Sequence, residues 1–287
     1  MTPLPAADLG CYTFRRSMLK IGYFQFAPAF GQVQNNIEHV SAALADVNAD
    51  ILVLPELAFT GYHFDSQAEL HQLAEDSADS QTVKALTAMC KARDFYLVTG
   101  FAERAGDKIF NSALLIGPQG LQSTYRKLHL FQNEKDFFEP GNIPLQAIEV
   151  RGARIGMMIC FDWVFPEVAR SLALQGVDLL CHPSNLVLTY CQQTMLLRCL
   201  ENGVFAVTCN RWGCDERPHG RLDFTGQSQV VGPKAELLHR APSDQDELFM
   251  VTIEPAVARS KQMTDQNDLF MDRRPEFYSL FGSLDRG

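Results

Sequence analysis

The sequence predicts an α/β protein built as a four-layer α-β-β-α sandwich within one domain. Three observations carry that expectation. Short, wholly apolar runs such as Ile51-Leu52-Val53-Leu54 read as strands buried on both faces. Segments with apolar residues at steps of three and four alternate with those runs, as amphipathic helices do. The order of strands and helices also runs twice, in two β-α-β-α-β stretches of similar length with no linker or low-complexity run between them. Two sheets, each with helices on one face, then bury their bare faces against one another.

In chain order, residues 1–17 carry Pro, Ala and Asp ahead of two arginines and no continuous apolar segment, so they are expected to be a loose extension rather than a signal peptide or membrane span. The domain is expected to occupy residues 18–287, starting with a strand over Ile21–Phe26. Val33, Ile37, Val40, Leu44 and Val47 mark a helix from about Gln32 to Asn48. The strand at Ile51–Leu54 ends at Pro55-Glu56, and a loop rich in aromatics follows over Phe59–Asp65. A helix near Gln81–Arg93 leads to strands at Tyr96–Phe101, Asn111–Ile116 and Gln122–Arg126. The segment Lys127–Pro144 reads as a long connection with a turn at Glu139-Pro140-Gly141.

The second half repeats the order. Strands are expected at Ala147–Val150, Arg154–Ile159, Val177–Cys181 and Val204–Cys209, with helices at Pro166–Gln175 and Thr189–Asn202. Later strands fall near Gly226–Val231, Ala235–His239 and Leu248–Thr252. A tail from about residue 260 carries Leu269, Phe270, Phe277, Tyr278 and Phe281, and is apolar enough to pack on the body or on a partner subunit.

Composition narrows the function classes. A hydrophobic share of 46% and a charged share of 21% suit a soluble enzyme with a large core. A formal net charge of −9 argues against nucleic acid or an anionic membrane as partner, because both demand clustered Lys and Arg. The eight cysteines form no CxxC pair and no Cys/His spacing typical of zinc, so no metal or other cofactor is expected. So many unpaired cysteines in a long chain point to a reducing, cytoplasmic setting.

The stretch Met157 to Glu167 organises the chemistry. An apolar strand stops at Cys160, and Pro166 with Glu167 stands where a helix opens, Pro at its first position and Glu in its first turn. Such an elbow lifts a side chain from the sheet edge and turns backbone N–H groups toward it, which suits a nucleophile. A buried cysteine packed as a small hydrophobe fits the same residues. Glu56 and Lys127 also stand where apolar strands end, the rim at which active sites of α/β sheets gather. A half-buried Glu56 suits a base for the thiol, and Lys127 suits an oxyanion partner; an N-cap and a surface lysine are their structural alternatives. Glu139, set among aromatics in Phe137-Phe138-Glu139-Pro140-Gly141, is expected to relieve its burial by pairing with Lys127. His129 and His182 follow strands as well, but no Asn or Asp orienter accompanies them in a local thiol-protease signature, and His182 reads best as a pocket-lining or satisfied core histidine.

These residues together resemble the nitrilase superfamily of carbon–nitrogen hydrolases. The resemblance rests on Val53-Leu54-Pro55-Glu56, Tyr125-Arg126-Lys127-Leu128-His129-Leu130, Gly156-Met157-Met158-Ile159-Cys160-Phe161-Asp162 and the Phe138-Glu139-Pro140-Gly141 turn, and runs from about Leu19 to the C-terminus. It implies an αββα sandwich and a homodimer or higher homo-oligomer. It also implies roles: Cys160 as nucleophile, Glu56 as general base, Lys127 and the Phe161 backbone N–H at the oxyanion, and Glu139 positioning substrate. Tyr62, Trp163 and Asn185 follow the motifs as pocket candidates, with ordinary packing or a turn as their alternative. True nitrilases of the superfamily commonly read Cys-Trp-Glu; Cys160-Phe161-Asp162-Trp163 is closer to amidases and carbamoyl-amine hydrolases, so a small amide is the expected substrate and a small aliphatic nitrile the alternative. A catalytically silent binding protein on this fold and a metal-dependent hydrolase are the readings from other classes.

Overall fold

The computed structural model describes residues 18–278, so the 1–17 extension and Phe281 lie outside the described residues. The first half contains β1 (Leu19–Gln25), α1 (Val33–Ala43), β2 (Ile51–Val53), α2 (Gln67–Leu73), α3 (Gln81–Arg93), β3 (Tyr96–Ala105), β4 (Lys108–Gly117) and β5 (Gly120–Arg126). A one-turn helix, α4 (Glu134–Phe137), interrupts the following connection. The second half contains β6 (Ala147–Val150), β7 (Ala153–Met157), a 3₁₀ turn (Cys160–Val164), α5 (Pro166–Leu174), β8 (Leu179–Ser184), α6 (Cys191–Asn202) and β9 (Phe205–Asn210). A hairpin of β10 (Trp212–Arg217) and β11 (Gly220–Thr225) precedes β12 (Gln229–Val231), β13 (Leu237–Arg240) and β14 (Glu247–Ile253).

Two six-stranded sheets result, in the orders β14-β1-β2-β3-β4-β5 and β13-β12-β9-β8-β7-β6. Each has a parallel centre, β1-β2-β3 in one and β7-β8-β9 in the other, flanked by antiparallel strands. The last long strand, β14, crosses back to pair with β1, from Leu19 opposite Ile253 to Gln25 opposite Glu247, and so ties the end of the fold to its beginning.

Alternation along the strands assembles the layers. In β2, Ile51 and Val53 join the cluster that also holds Ile155, Met157, Cys181 and Val207 of the facing sheet, whereas Leu52 joins Val40, Leu44, Leu86 and Cys90 beneath α1 and α3. Successive side chains point to opposite faces, so a three-residue strand serves both the inter-sheet core and the helix layer. On the far side, Val168, Ala169 and Leu172 of α5 and Met195 and Cys199 of α6 cover the second sheet. The expected sandwich is therefore present.

Several boundaries differ from the sequence expectation. Helix α1 ends at Ala43 instead of near Asn48, because the N–H of Ala45 returns to Ala42 and that of Val47 to Leu44, curling the chain into tighter turns. Strand β3 extends through Glu103 and Arg104, whose polar character masks their pairing with Phe110 and Ile109 at the start of β4. Helix α2 and the β10–β11 hairpin were not expected at all. In the tail, Phe270 packs against the main core beneath Arg170 and Lys261, with cation-to-ring distances of 5.2 and 5.0 Å, while Phe277 remains 64% exposed. Only part of the apolar tail is thus covered by the body.

Candidate active site

Strand direction brings three distant residues to one rim. Strand β5 runs antiparallel to β4, and β4 antiparallel to β3, so β5 runs parallel to β2 and Lys127 leaves the same edge as Glu56. In the facing sheet the parallel strands β7 and β8 end together at Cys160 and Asn185. The two rims are stitched directly. The Glu56 N–H reaches the Ser184 carbonyl at 3.4 Å, and the Asn185 side-chain amide donates to the Glu56 carbonyl at 2.9 Å. The Asn185 carbonyl in turn accepts the Cys160 thiol at 3.8 Å.

Close backbone approach makes this rim possible. A β-carbon on Gly100 would lie 2.3 Å from both the Glu56 Cα and the Leu57 nitrogen. Only glycine lets β3 pass there.

Lys127 is fully buried, and its Nζ donates to Glu56 Oε1 at 2.7 Å and to Glu134 Oε1 at 2.6 Å. Burial alone would depress the ammonium, but the charges of Glu134 and Glu56 hold its pKa above the ordinary lysine value. An ammonium has three donors, so one N–H remains for a ligand. Glu56 Oε1 also accepts the Asn111 amide at 2.7 Å, while Glu56 Oε2 is buried with no hydrogen-bond partner among the described residues. Burial raises the Glu56 pKa, opposed by Lys127 and reinforced by the Glu134 charge. The unpartnered oxygen is therefore a ready proton acceptor.

Cys160 sits at the elbow with φ of 39°, in the left-handed region that non-glycine residues seldom occupy. Its thiol pKa is pushed up, first by burial and then by the Glu56 charge, with Lys127 acting in the opposite sense. The resting group is a thiol, and the charges of Glu56, Lys127 and Glu134 all bear on it. Phe161, second in the 3₁₀ turn, has a backbone N–H with no acceptor inside that turn, as at any helix start. Asp162 anchors the elbow from below: its carboxylate accepts the Ile159 N–H at 2.9 Å, the Tyr125 hydroxyl at 2.7 Å and the His129 Nδ1 at 2.8 Å. The strand that carries Lys127 and the turn that carries Cys160 thus share one buried acid.

Neither histidine touches the thiol by a hydrogen bond. His129 lies against Phe165, ring centroids 3.6 Å apart. His182 is a satisfied core histidine: its Nε2 donates to the Cys160 carbonyl at 2.9 Å and its Nδ1 accepts from Thr208 at 3.1 Å. Burial lowers its pKa to about 4 from an ordinary 6.5. Between those values the unfolded chain binds a proton that the folded protein refuses, so stability falls as pH drops through that window. Urea titrations from pH 7 to pH 4 should show a loss approaching about 3 kcal/mol from this group, and a shallower pH slope in His182→Gln.

Glu139 is not the second carboxylate of the site. Its side chain is half exposed and faces Lys108 at 3.6 Å. The turn around it is nonetheless close, because the Glu139 N–H bonds to Ile109 and the Gly141 N–H to the Lys127 carbonyl at 2.8 Å. A β-carbon on Gly141 would stand 2.1 Å from the Arg126 carbonyl. The motif therefore clamps the Lys127 backbone, while Glu134, five residues earlier on α4, supplies the charge. Glu134 also accepts the Tyr62 hydroxyl at 2.6 Å and, through Oε2, the Phe131 N–H at 3.0 Å. Sequence reasoning missed it because the segment read as unstructured.

The cavity at the thiol is small, about 10 Å³, lined by Phe131, Cys160, Phe161, Trp163, Asn185 and Leu186 among others. Trp163 and Asn185 therefore face it. Phe131 and Val187 are shared with a second chamber of about 60 Å³, which is also walled by Tyr62, His63, Phe64, Gln132, Asn133, Glu134, Phe137, Phe138, His219 and Leu222. A roomier surface groove of about 640 Å³ lies elsewhere, beside Arg154, Asp178, Arg259 and Lys261. Most of its charges are already engaged, Arg259 with Asp178 and Lys261 with the carbonyls that end α6. Among the described residues no group of three or more His, Cys, Asp or Glu is arranged to hold a metal, and no helix is long and apolar enough to cross a membrane.

Comparison with known proteins places the chain in a family. A family model described as carbon-nitrogen hydrolase matches residues 20–262. The chain is 39% identical over 264 residues to a nitrilase of Pyrococcus abyssi, a match covering 91% of this chain and 99% of that protein. It is 32% identical to an (R)-stereoselective amidase of a Pseudomonas species, over 79% of this chain and 82% of that one. A solved carbon-nitrogen hydrolase from Helicobacter pylori G27 superposes with a TM-score of 0.81 at 26% identity, over 92% and 97% of the two chains. On this combined match of sequence and fold, the chain belongs to the carbon–nitrogen hydrolase family of the nitrilase superfamily.

Proposed function

We propose that this protein is a thiol amidase that hydrolyses small, neutral amides to the acid and ammonia through a cysteine acyl-enzyme. The observation that carries the reading is the division of labour around Lys127: Glu56 keeps one oxygen free for a proton, Glu134 supplies the second negative charge, and one ammonium N–H stays available. As the Cys160 sulfur bonds to the amide carbon, its proton moves to Glu56 Oε2. The carbonyl oxygen gains the displaced electron pair and is met by Lys127 and the Phe161 N–H. Glu56 then protonates the leaving nitrogen and the C–N bond breaks, releasing ammonia and leaving a thioester. Water attacks that thioester while Glu56 takes its proton, and the acid departs as the thiol re-forms.

The lining of the two chambers supports a neutral substrate. The 60 Å³ chamber holds no Lys or Arg for a substrate carboxylate, and its one acid, Glu134, is committed to Lys127, Tyr62 and Phe131. An amine-bearing carbamoyl compound would meet no spare charge there. The extended similarity to a nitrilase favours small aliphatic nitriles as the second reading, served by the same residues. Ammonia release from matched amides, nitriles and ureido compounds tests both: the amide of each pair is expected to turn over at least tenfold faster. A nitrile preference would replace the first reading with the second, and silence on all three would remove both.

A homodimer belongs to the same proposal. Leu174 on α5 and Leu197 and Leu200 on α6 are 45%, 57% and 38% exposed, three large apolar side chains left open on the helices that cover the second sheet. Light scattering is expected to read at least twice the 32.1 kDa chain mass; a monomer reading would reject it.

A further inference from the structure

The wall of the 60 Å³ chamber includes His63, whose ring carries a buried polar atom that nothing in the fold uses. His63 is only 9% exposed, and its Nδ1 is buried without a hydrogen-bond partner among the described residues. A buried imidazole nitrogen without a partner is unfavourable unless a ligand or water completes it. The ring is also held in place. The N–H groups of Tyr62 and His63 both bond to Asp215 Oδ2, at 3.1 and 3.2 Å, and Asp215 is fixed by Arg211 at 3.0 Å. His219, from the turn of the β10–β11 hairpin, meets the His63 ring edge-on at a centroid distance of 3.9 Å and is itself bonded to Asp65. Burial, and then the neighbouring His219, keeps His63 below the ordinary histidine pKa, against Asp215 and Asp65, so it is a neutral group at pH 7.

The rest of the chamber explains what such a group is for. Phe64, Phe131, Phe137, Phe138, Val187 and Leu222 make most of it apolar, and the amides of Gln132 and Asn133 lie on its exposed side, so a buried hydrogen-bonding atom on this wall adds discrimination. By the room one water takes, 60 Å³ holds about four to six non-hydrogen atoms. Resting on the amidase reading above, we infer that this chamber takes the far end of the substrate and that His63 Nδ1 hydrogen-bonds a terminal hydroxyl or carboxamide there, with His219 as the residue that positions the ring. The substrate class is then a short aliphatic amide whose other end carries a neutral polar group.

Binding to full-length Cys160→Ala separates this assignment from the question of turnover. Calorimetry with 4-hydroxybutanamide and pentanamide, which exchange a hydroxyl for a methyl at the same chain length, is expected to show at least tenfold tighter binding of the hydroxyl compound. Adding His63→Leu should bring the two affinities within twofold, while His63→Gln, which keeps a hydrogen-bonding end, should retain a preference. If His63→Leu does not fold, His219→Ala on its exposed turn provides the test, with the preference expected to fall at least threefold. Equal affinities in Cys160→Ala, binding of neither compound, or a preference that survives in His63→Leu or, where that variant does not fold, in His219→Ala would overturn the assignment. If the discrimination holds and wild-type protein releases ammonia from no amide or nitrile, the amidase reading alone falls.

Discussion

Cys160→Ala is expected to lower ammonia release from every amide that the wild-type protein accepts by about 10⁴-fold or more, the scale seen when a covalent nucleophile is removed. The fold should survive. The thiol's one hydrogen bond is a 3.8 Å contact to the Asn185 carbonyl, and alanine meets the same left-handed φ of 39° that cysteine already tolerates. A thermal midpoint within a few degrees of wild type would therefore accompany the loss. Cys160→Ser should be nearly as inactive, because burial and the Glu56 charge already raise the thiol's pKa and a hydroxyl starts from a far higher one. Retention of activity within tenfold of wild type in Cys160→Ala would mean that the sulfur forms no bond to substrate.

What could be read from the lettering alone follows from where physical constraints are local. The apolar runs at Ile51–Val53 and Leu179–Cys181 are buried on both faces, so their composition betrays them, and the residues that follow such runs, Glu56 and Cys160, stand out by contrast. Lys127 is visible for the same reason at the end of β5. Glu134 is not, because a one-turn helix has no periodicity to detect, and its partners Lys127 and Tyr62 lie seven and 72 residues away. Glu139 drew attention through its aromatic neighbours, but those rings pack inward while the carboxylate turns out toward Lys108. Helix α2 did leave a local sign in Ser66 followed three residues later by Glu69, a capping pair; the Ser66 hydroxyl indeed accepts the Glu69 N–H. The β10–β11 hairpin left none, since its strands are mostly polar and half exposed, and it is this hairpin that carries His219 to the chamber.

Exchanging the two glutamates' fates gives the sharpest test of the site. Glu134→Ala removes one of two charges from a fully buried ammonium and strips the Tyr62 hydroxyl and the Phe131 N–H of their acceptor. Breaking a buried pair from one side destabilises by about 3–5 kcal/mol, so the urea midpoint should fall markedly. Where the variant still folds, turnover should drop by about 10²–10³, the cost of misplacing a group aimed at the developing oxyanion. Glu134→Gln keeps the shape and the hydrogen bonds to Tyr62 and Phe131 N–H can be partly retained, so its stability should lie between alanine and wild type while its rate stays low. Glu139→Ala removes only a half-exposed acid paired with Lys108 at 3.6 Å, and both stability and rate should remain close to wild type, within about 0.5 kcal/mol for the former. The opposite ranking, a silent Glu134→Ala and a crippled Glu139→Ala, would show that the carboxylate in the Phe-Phe-Glu-Pro-Gly turn swings inward during catalysis and that the pairing of Lys127 with Glu134 is not the working arrangement.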